Sequence, residues 1–507
     1  MTVRYGHIKF YRLSNGKTDV TAPVALSSRL RGGRFAALAL GTTVLLGACA
    51  PDLGPRPEPT PLSAYQTRQS FAAPAAAWPS DAWWTVYHDP QLTGLIDEAL
   101  KGAPDIRIAE ARLRLAQAQA EQAGAATLPE LSGNGSVQET RQSINQGFPD
   151  VYKPLLPHGW HTTPRTTLDF SYEFDFFGKN RAALAAATSQ AEAAAADEAE
   201  ARLMLSTAVA GAYADFVRLS ADGKTAADAV RVRQQSADLV NQRVVNGLET
   251  RGQLAEAEAQ VAIAQTQQDA VDGAIARARN EIAALLGKGP DRGLKLAPPE
   301  AVTLTPFGLP RSLPADLVGR RPDIVAARLR AEAAAHQIDV AHAAFYPNID
   351  LEGSFGLQSL DLADFANHGS IIGAFGPALH LPLFEGGKLT GAYRGARAGY
   401  DEAVASYDQT VTHALQDVAN AVVNARELQR ELAHAREALK DSEVAWNVAE
   451  LRYKGGLSPY LDVLTAEGTL LTQRQTVADL EAQNFAQNIA LVRALGGGYL
   501  EPALASN

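Results

Sequence analysis

The spacing of apolar residues along this chain changes period several times, and the changes come in a repeated order. From Leu168 to Phe176 apolar and polar positions alternate strictly. Leu168, Phe170, Tyr172, Phe174 and Phe176 share one face, and Asp169, Ser171, Glu173 and Asp175 share the other. A shorter alternation, Leu131 to Val137, precedes it across a loop, 139–164, that holds Pro149, Pro154, Pro157 and Pro164. Further on, Ile349, Leu351, Phe355 and Leu357 alternate with Asp350, Glu352 and Ser354, and a weaker run at 374–384 is interrupted by Pro377 and Pro382. These runs predict strands at about 130–138, 166–177, 348–358 and 373–384.

Elsewhere the period lengthens to that of a helix. Residues 91–127 read as helical, with a break at Gly102-Ala103-Pro104. Residues 180–246 and 388–454 contain no proline, and each predicts a helix on the order of 100 Å long at 1.5 Å per residue. In the later stretch a 3-4 spacing runs from Val404, Tyr407 and Val411 through Leu428 and Leu432 to Tyr453, which is a coiled-coil seam. The earlier stretch carries the same seam more loosely, because Glu198, Arg202, Gly223 and Arg233 interrupt it. Each long helix stops at a glycine turn, Asn246-Gly247 or Gly455-Gly456, and a returning helix follows at about 253–286 or 462–495.

The order strand, strand, long helix, returning helix therefore occurs twice, and individual residues repeat with it. Pro104-Asp105-Ile106 returns as Pro322-Asp323-Ile324 at an offset of 218, as do Pro129, Gly135 and Ser136. After one loop the offset becomes 209: Gly178-Lys179 matches Gly387-Lys388, Arg243 matches Arg452, and Leu286-Gly287 matches Leu495-Gly496. A duplication of this length predicts one structural unit built twice. The expected organisation is a leader at 1–48, a tether and equatorial segment at 49–90, a first repeat at 91–287, a Gly/Pro-rich connector at 288–322, a second repeat at 323–496 and a tail at 497–507. The fold class is mostly α with a membrane β-barrel. Four strands cannot close a barrel, which needs about eight, so other subunits must complete it.

Composition sharpens the leader and the compartment. Seven Lys/Arg and one Asp precede the apolar run Phe35–Gly47, and Leu46-Gly47-Ala48-Cys49 follows the pattern of a lipoprotein cleavage site. Cys49 is the only cysteine, so disulfides and cysteine-based zinc sites are excluded. Without residues 1–48 the chain carries 39 basic and 55 acidic residues, which argues against nucleic acid as a partner. No later apolar run reaches the roughly 18–20 residues of a spanning helix, so any membrane crossing must use strands.

Catalytic chemistry is not evident. The sequence has no HExxH, no Walker loop, no GxSxG and no Gly-rich dinucleotide turn. His158 and His161 lie close together in the proline-rich loop, but without a third ligand they read as solvated loop histidines. Asp169, Glu173, Asp175, Asp350 and Glu352, repeated around a barrel, would give a negative, wet interior rather than acid/base pairs. No metal or cofactor is expected, apart from covalent lipid on Cys49.

Taken in order, several motifs resemble those of the TolC-like outer-membrane efflux proteins of the lipid-anchored OprM/NodT type. They are Trp83-Trp84 with Asp89-Pro90-Gln91-Leu92, Phe174 to Lys179, Arg320-Arg321-Pro322-Asp323-Ile324, Ala344 to Pro347, Pro382 to Gly387, and Arg452-Tyr453 through Asp462-Val463-Leu464. The resemblance implies a homotrimer with a twelve-stranded barrel and a periplasmic helical tunnel. It also implies a periplasmic adaptor and an inner-membrane transporter of the resistance-nodulation-division type as partners, and outer-membrane lipid around the barrel. Tyr453 and Asp462 match family positions that hold the periplasmic end closed, whereas Gln253, Ser458 and Thr465 depart from the pattern. Two other readings stay open: a type I protein-secretion channel, and a coiled-coil lipoprotein that forms no channel.

Overall fold

The computed structural model describes residues 50–141, 143, 149–155, 157–299, 308–311 and 313–501. Contacts divide the chain into Met1–Pro51 and Asp52–Asn507. The basic leader, the apolar run and Cys49 lie outside the described residues, so the first unit contributes only Ala50 and Pro51.

The second unit is one motif built twice. The first copy comprises α1 (Pro90–Gly102), α2 (Pro104–Ala125), β1 (Glu130–Thr140), β2 (His161–Glu173), α3 (Lys179–Val245) and α4 (Arg251–Leu285). The second comprises α5 (Leu313–Arg320), α6 (Pro322–Ala343), β3 (Asn348–Gln358), β4 (Ile371–His380), α7 (Lys388–Lys454) and α8 (Tyr460–Ala494). Both long helices, α3 and α7, have 67 residues, and both returning helices have 35.

Local chemistry starts and stops these helices alike in the two copies. Pro104 and Pro322 open α2 and α6, where a missing N–H costs nothing because the first turn has no intrahelical acceptor for it. Gly178 (φ 77°) and Gly387 (φ 88°) precede the long helices in a left-handed conformation that glycine adopts without strain. At the far ends Leu248 N–H donates to the Arg243 carbonyl and Leu457 N–H to the Arg452 carbonyl, both at 2.8 Å, closing each helix across its glycine turn. The seam expected on α7 is the buried one: Val404, Tyr407, Val411, Ala414, Val418, Ala421, Leu428, Leu432, Ala435, Ser442 and Tyr453 all face inward. On α3 the interruption at Gly223 has a packing reason. A Cβ there would lie 3.2 Å from Ile275 of α4, so the glycine lets the helices approach closely.

The four strands form one antiparallel sheet in the order β1-β2-β3-β4, with β2–β3 joining the copies. β2 begins at His161, before the expected 166, and leaves the ladder after Glu173. Phe174 N–H still bonds the Ile349 carbonyl, but Asp175 then turns to the start of α3. β4 ends at His380 and tolerates Pro377 because it is an edge strand, with one row of backbone groups unpaired within the chain.

The main apolar core sits where both copies and the N-terminal segment meet. Trp83, Tyr87, Leu92, Leu95 and Ile96 pack there on Val209, Tyr213, Phe216, Ile282 and Phe485. Asp89 caps α1 by accepting from the N–H groups of Gln91 and Leu92, and its other oxygen accepts from Tyr213 Oη at 2.6 Å. Tyr87 Oη donates to Asn488 of α8 at 2.6 Å. Arg321, only 11% exposed, donates to Asp323 at 2.6 Å, to Asp417 of α7 at 3.0 Å and to the Ala494 carbonyl of α8. Beside it burial pushes the Glu200 carboxyl of α3 up to about 7, with Asp323 adding to the rise and Arg321 opposing it.

Residues 54–73 run as a strap along α7. Arg397 donates to the Gly54 and Pro55 carbonyls, and Tyr400 Oη to the Pro57 carbonyl at 3.1 Å. Asp408 takes both Thr60 N–H (3.0 Å) and Thr60 Oγ1 (2.7 Å), and Arg426 reaches the Ala72 carbonyl. The strap therefore advances in the same direction as α7.

Candidate channel wall and helical tip

The register sorts the sheet into two faces. Leu168 lies opposite Phe355, Phe170 opposite Gly353 and Leu131, Tyr172 opposite Leu351, and Ile349 opposite Leu379. Between those positions Asp169 lies opposite Ser354 and Ser132, Ser171 opposite Glu352, and Glu173 opposite Asp350. One face is thus apolar across all four strands; the other is polar on β1, β2 and β3 and mostly small on β4, with Ala374, Gly376 and Ala378. Within the protomer the apolar face is uncovered: Leu131, Val137, Leu168, Phe355, Phe375 and Leu379 are exposed, Phe375 by 75%. Water would oppose such a surface, whereas lipid favours it. The strands hold 10 to 13 residues each, long enough for tilted membrane strands. Where the sheet meets the helices, Tyr172 meets Phe174 edge to face (5.2 Å), Phe174 stacks on Phe176 (5.8 Å) and Phe177 lies flat on Tyr346 at 4.6 Å. This is an aromatic girdle at an interface.

Four of the five expected interior carboxylates share the polar face, all in the half of the sheet nearest the helices. Asp169 accepts from Asn134 (2.7 Å) and Thr167 (2.8 Å), Glu173 pairs with Lys179 at 2.7 Å, Asp350 accepts from Asn348 at 3.0 Å, and Glu352 lies opposite Ser171 and Gly376. Asp175 falls beyond the end of β2. Its two oxygens accept from the N–H groups of Asn180 and Arg181 and pair with the Arg181 guanidinium, so it caps α3. Of the two loop histidines, His161 Nε2 lies 3.1 Å from the His158 carbonyl, a local bond. Among the described residues no group of His, Cys, Asp and Glu is placed to hold a metal.

At the opposite end the two hairpins meet through Ala237, Val240, Ala257, Val261, Tyr453, Tyr460 and Val463. Tyr453 is buried. The Arg243 guanidinium lies 4.8 Å from its ring centre, its hydroxyl faces Glu249 at 3.4 Å, and burial together with that carboxylate pushes it up to about 12. Asp462 is exposed in the first turn of α8. The equivalent residue of the first copy, Gln253, is tied into a capping box with Thr250. In the second copy the N-cap position is Pro459, which offers neither an N–H to the Asp462 carboxylate nor a side-chain oxygen to the Asp462 N–H, so no capping box forms and the carboxylate has only the favourable helix dipole beside it. The Arg233–Glu467 pair, 3.1 Å between α3 and α8, was legible only as a break in a seam.

A two-faced antiparallel sheet carried on long helical hairpins is the wall of an outer-membrane channel of the TolC-like kind, a trimeric β-barrel continued by a helical tunnel. The outer membrane efflux protein family profile matches residues 95–288 and again 313–497, one match per repeat. The chain belongs to this family, and its place is the outer membrane. It is 38% identical over 379 residues to the fusaric acid resistance protein FusA of Burkholderia cepacia, covering 72% of this chain and 70% of that one. It is 30% identical to the multidrug resistance outer membrane protein MdtP of Escherichia coli K12, covering 91% of this chain and 95% of that one. Among solved structures, the outer membrane protein VceC of Vibrio cholerae superposes with a TM-score of 0.77 at 42% identity, over 83% of this chain and 100% of that one.

Proposed function

We propose that the protein is the exit duct of a tripartite efflux system. Three chains close one twelve-stranded barrel, and their hairpins line a passage across the periplasm. The duct takes small molecules from a periplasmic adaptor and an inner-membrane transporter of the resistance-nodulation-division type. It conducts them passively, with no turnover of its own. The observation that carries this reading is the uncovered apolar face spanning four strands, backed by a polar one. The two unpaired sheet edges support closure by copies of the same chain. The names of the relatives, for fusaric acid and multidrug resistance, favour small toxic molecules over secreted proteins as cargo.

Conductance in planar bilayers tests it. Channels formed by the full-length protein should prefer cations, because Asp169, Glu173, Asp350 and Glu352 share the polar face with only Arg165, His161 and His380 as basic residues along the paired strands. The tip should close the passage in the resting state, with three copies of Asp462 near one axis where like charges repel unless a cation intervenes. Divalent cations should then block the wild type more than Asp462→Asn. An unchanged block removes Asp462 from the gate. Absence of conductance even after the tip is loosened favours the spacer lipoprotein instead.

The strap supports a lipid anchor. Gly54 lies against Arg397, nine residues along α7 from Lys388, or about 14 Å from the sheet end of that helix. Gly54 is five positions along the chain from Cys49, a reach of at most about 18 Å. A lipidated Cys49 is thus within reach of the bilayer surface that meets the sheet. Mass spectrometry of the native protein is expected to find a diacylglycerol thioether on Cys49 and an acyl chain on its amine, since stable anchoring takes two or more chains. An unmodified N-terminus at or beyond residue 49 would refute this. Cys49→Ala should still trimerise.

A further inference from the structure

The seam within the second hairpin has an apolar centre, Leu432 and Ala435 of α7 with Val477 of α8, flanked by the exposed Arg436–Glu481 and Arg474–Glu443 pairs. The seam between hairpins carries charge at three levels. Arg218 of α3 bridges Asp222 (3.1 Å) and Asp479 of α8 (3.5 Å). Further toward the tip, Arg233 Nε donates to Glu467 Oε1 at 3.1 Å. Last comes Arg243 over Tyr453.

Glu467 stands out among these groups. It is 2% exposed within a single protomer, and an added copy can only bury it further. Its Oε1 takes the Arg233 bond, but Oε2 has no hydrogen-bond donor among the described residues. An ionised carboxylate offers about four acceptor sites, so half of this one lies dry. A buried charge in that state gains from either of two changes: taking up a proton, or moving away from α3 into water.

We propose that the Arg233–Glu467 pair is a proton-sensitive latch between the hairpins. With Glu467 protonated, α8 stays packed on α3 in the half nearest the tip; with Glu467 ionised, their separation is favoured. The charged and titratable groups around the pair come from each packed element. Arg233 comes from α3. From α4 come Glu256 and the Gln260 carbonyl, which takes a second Arg233 N–H at 3.2 Å and keeps that guanidinium engaged when Glu467 is neutral. Tyr460 lies on α8 itself, and from α7 comes Tyr453, whose ring centre is 5.4 Å from that of Tyr460.

Burial pushes the Glu467 carboxyl above its ordinary value near 4.5, and Arg233 offsets only part of the rise. The packed state therefore binds the proton more tightly than a hydrated one. Packing is firmest at or below about pH 4.5 and weakens as pH rises through the packed-state value. The inference rests on the proposed duct only in linking this seam to conduction, and the latch itself is measured without current.

Hydrogen exchange of the full-length protein in detergent, corrected for the intrinsic pH dependence of exchange, reads the opening of the α8 amides at residues 463–477. Between pH 5 and pH 8 the opening constant of the wild type should rise severalfold, the ceiling being tenfold for each unit separating the packed and hydrated carboxyl. Glu467→Gln, similar in shape and unable to ionise, should stay protected at both values. Glu256→Gln should keep the wild-type response. A pH-independent wild type, a Glu467→Gln that keeps the response or exchanges fast throughout, or loss of the response in Glu256→Gln would each overturn the latch. Bilayer conductance recorded alongside reports separately on the duct, so failure of one is not failure of the other.

Discussion

Replacing Arg321 with alanine is expected to lower the helical melting temperature in detergent by several degrees, with a loss that grows as pH rises. The guanidinium is 11% exposed and joins the start of α6 to α7 through Asp417 and to α8 through the Ala494 carbonyl. Breaking a buried pair by removing one partner costs about 3–5 kcal/mol, and the half-exposed Asp417 places this site at the low end. The pH dependence comes from Glu200. Its carboxyl is already raised to about 7, so its protonated form adds stability that is complete below about 4.5 and lost as pH rises through 7. Arg321 is one of the cations that holds that value down, so its loss raises Glu200 further and penalises the ionised form more. Melting followed by circular dichroism should show a wider gap between wild type and Arg321→Ala at pH 8 than at pH 5. An equal or narrower gap at pH 8 would mean that Glu200 does not sense Arg321.

Gly496→Ala should do more damage than the same change at the equivalent position of the first repeat, Gly287. Both glycines follow a returning helix with positive φ, 85° and 68°, a region that costs an alanine about 1–2 kcal/mol. They differ in what a Cβ would meet. At Gly287 it would lie 2.6 Å from Pro104 Cδ, a ring atom, and its nearest backbone neighbour would be Ala103 Cα at 3.3 Å. At Gly496 it would run into the Arg320 carbonyl oxygen and lie 3.2 Å from Arg321 Cα, both backbone. The end of α8 would have to leave the start of α6, and Arg321 would go with it. Trimer yield and melting temperature of the two alanine variants check this. Comparable losses would mean that the close approach at Gly496 is not rigid.

Much of this architecture is readable from local chemistry because the elements are long and their signals dense. Seven heptads of small and apolar residues on α7 leave little choice of buried face, and the glycine turns after α3 and α7 mark where each helix must stop. β2 was harder to bound, because the aromatic alternation runs on through Phe174 and Phe176 while the backbone has already turned so that Asp175 can cap α3. Periodicity reports which face a side chain would occupy, not whether the ladder is still present. The strap leaves no pattern in a Pro- and Ala-rich segment because its bonds to α7 come from carbonyls and one threonine. Glu467 leaves none either. A buried carboxylate looks like any exposed one until the residue facing it is known, and Arg233 lies 234 positions away.

That separation is exceeded by the strap, and the distance has a kinetic meaning. Thr60 binds Asp408 across 348 residues, and Pro55 binds Arg397 across 342. Contacts of such high contact order form late, because the ends must find each other after shorter loops have closed. During synthesis the strap is made first, and its seat on α7 does not exist until nearly the whole second repeat has followed. The helical hairpins, whose partners lie tens of residues apart, can form without it. The N-terminal segment should therefore be the last part of the protomer to dock, and the first to be caught by a protease that meets a chain still folding.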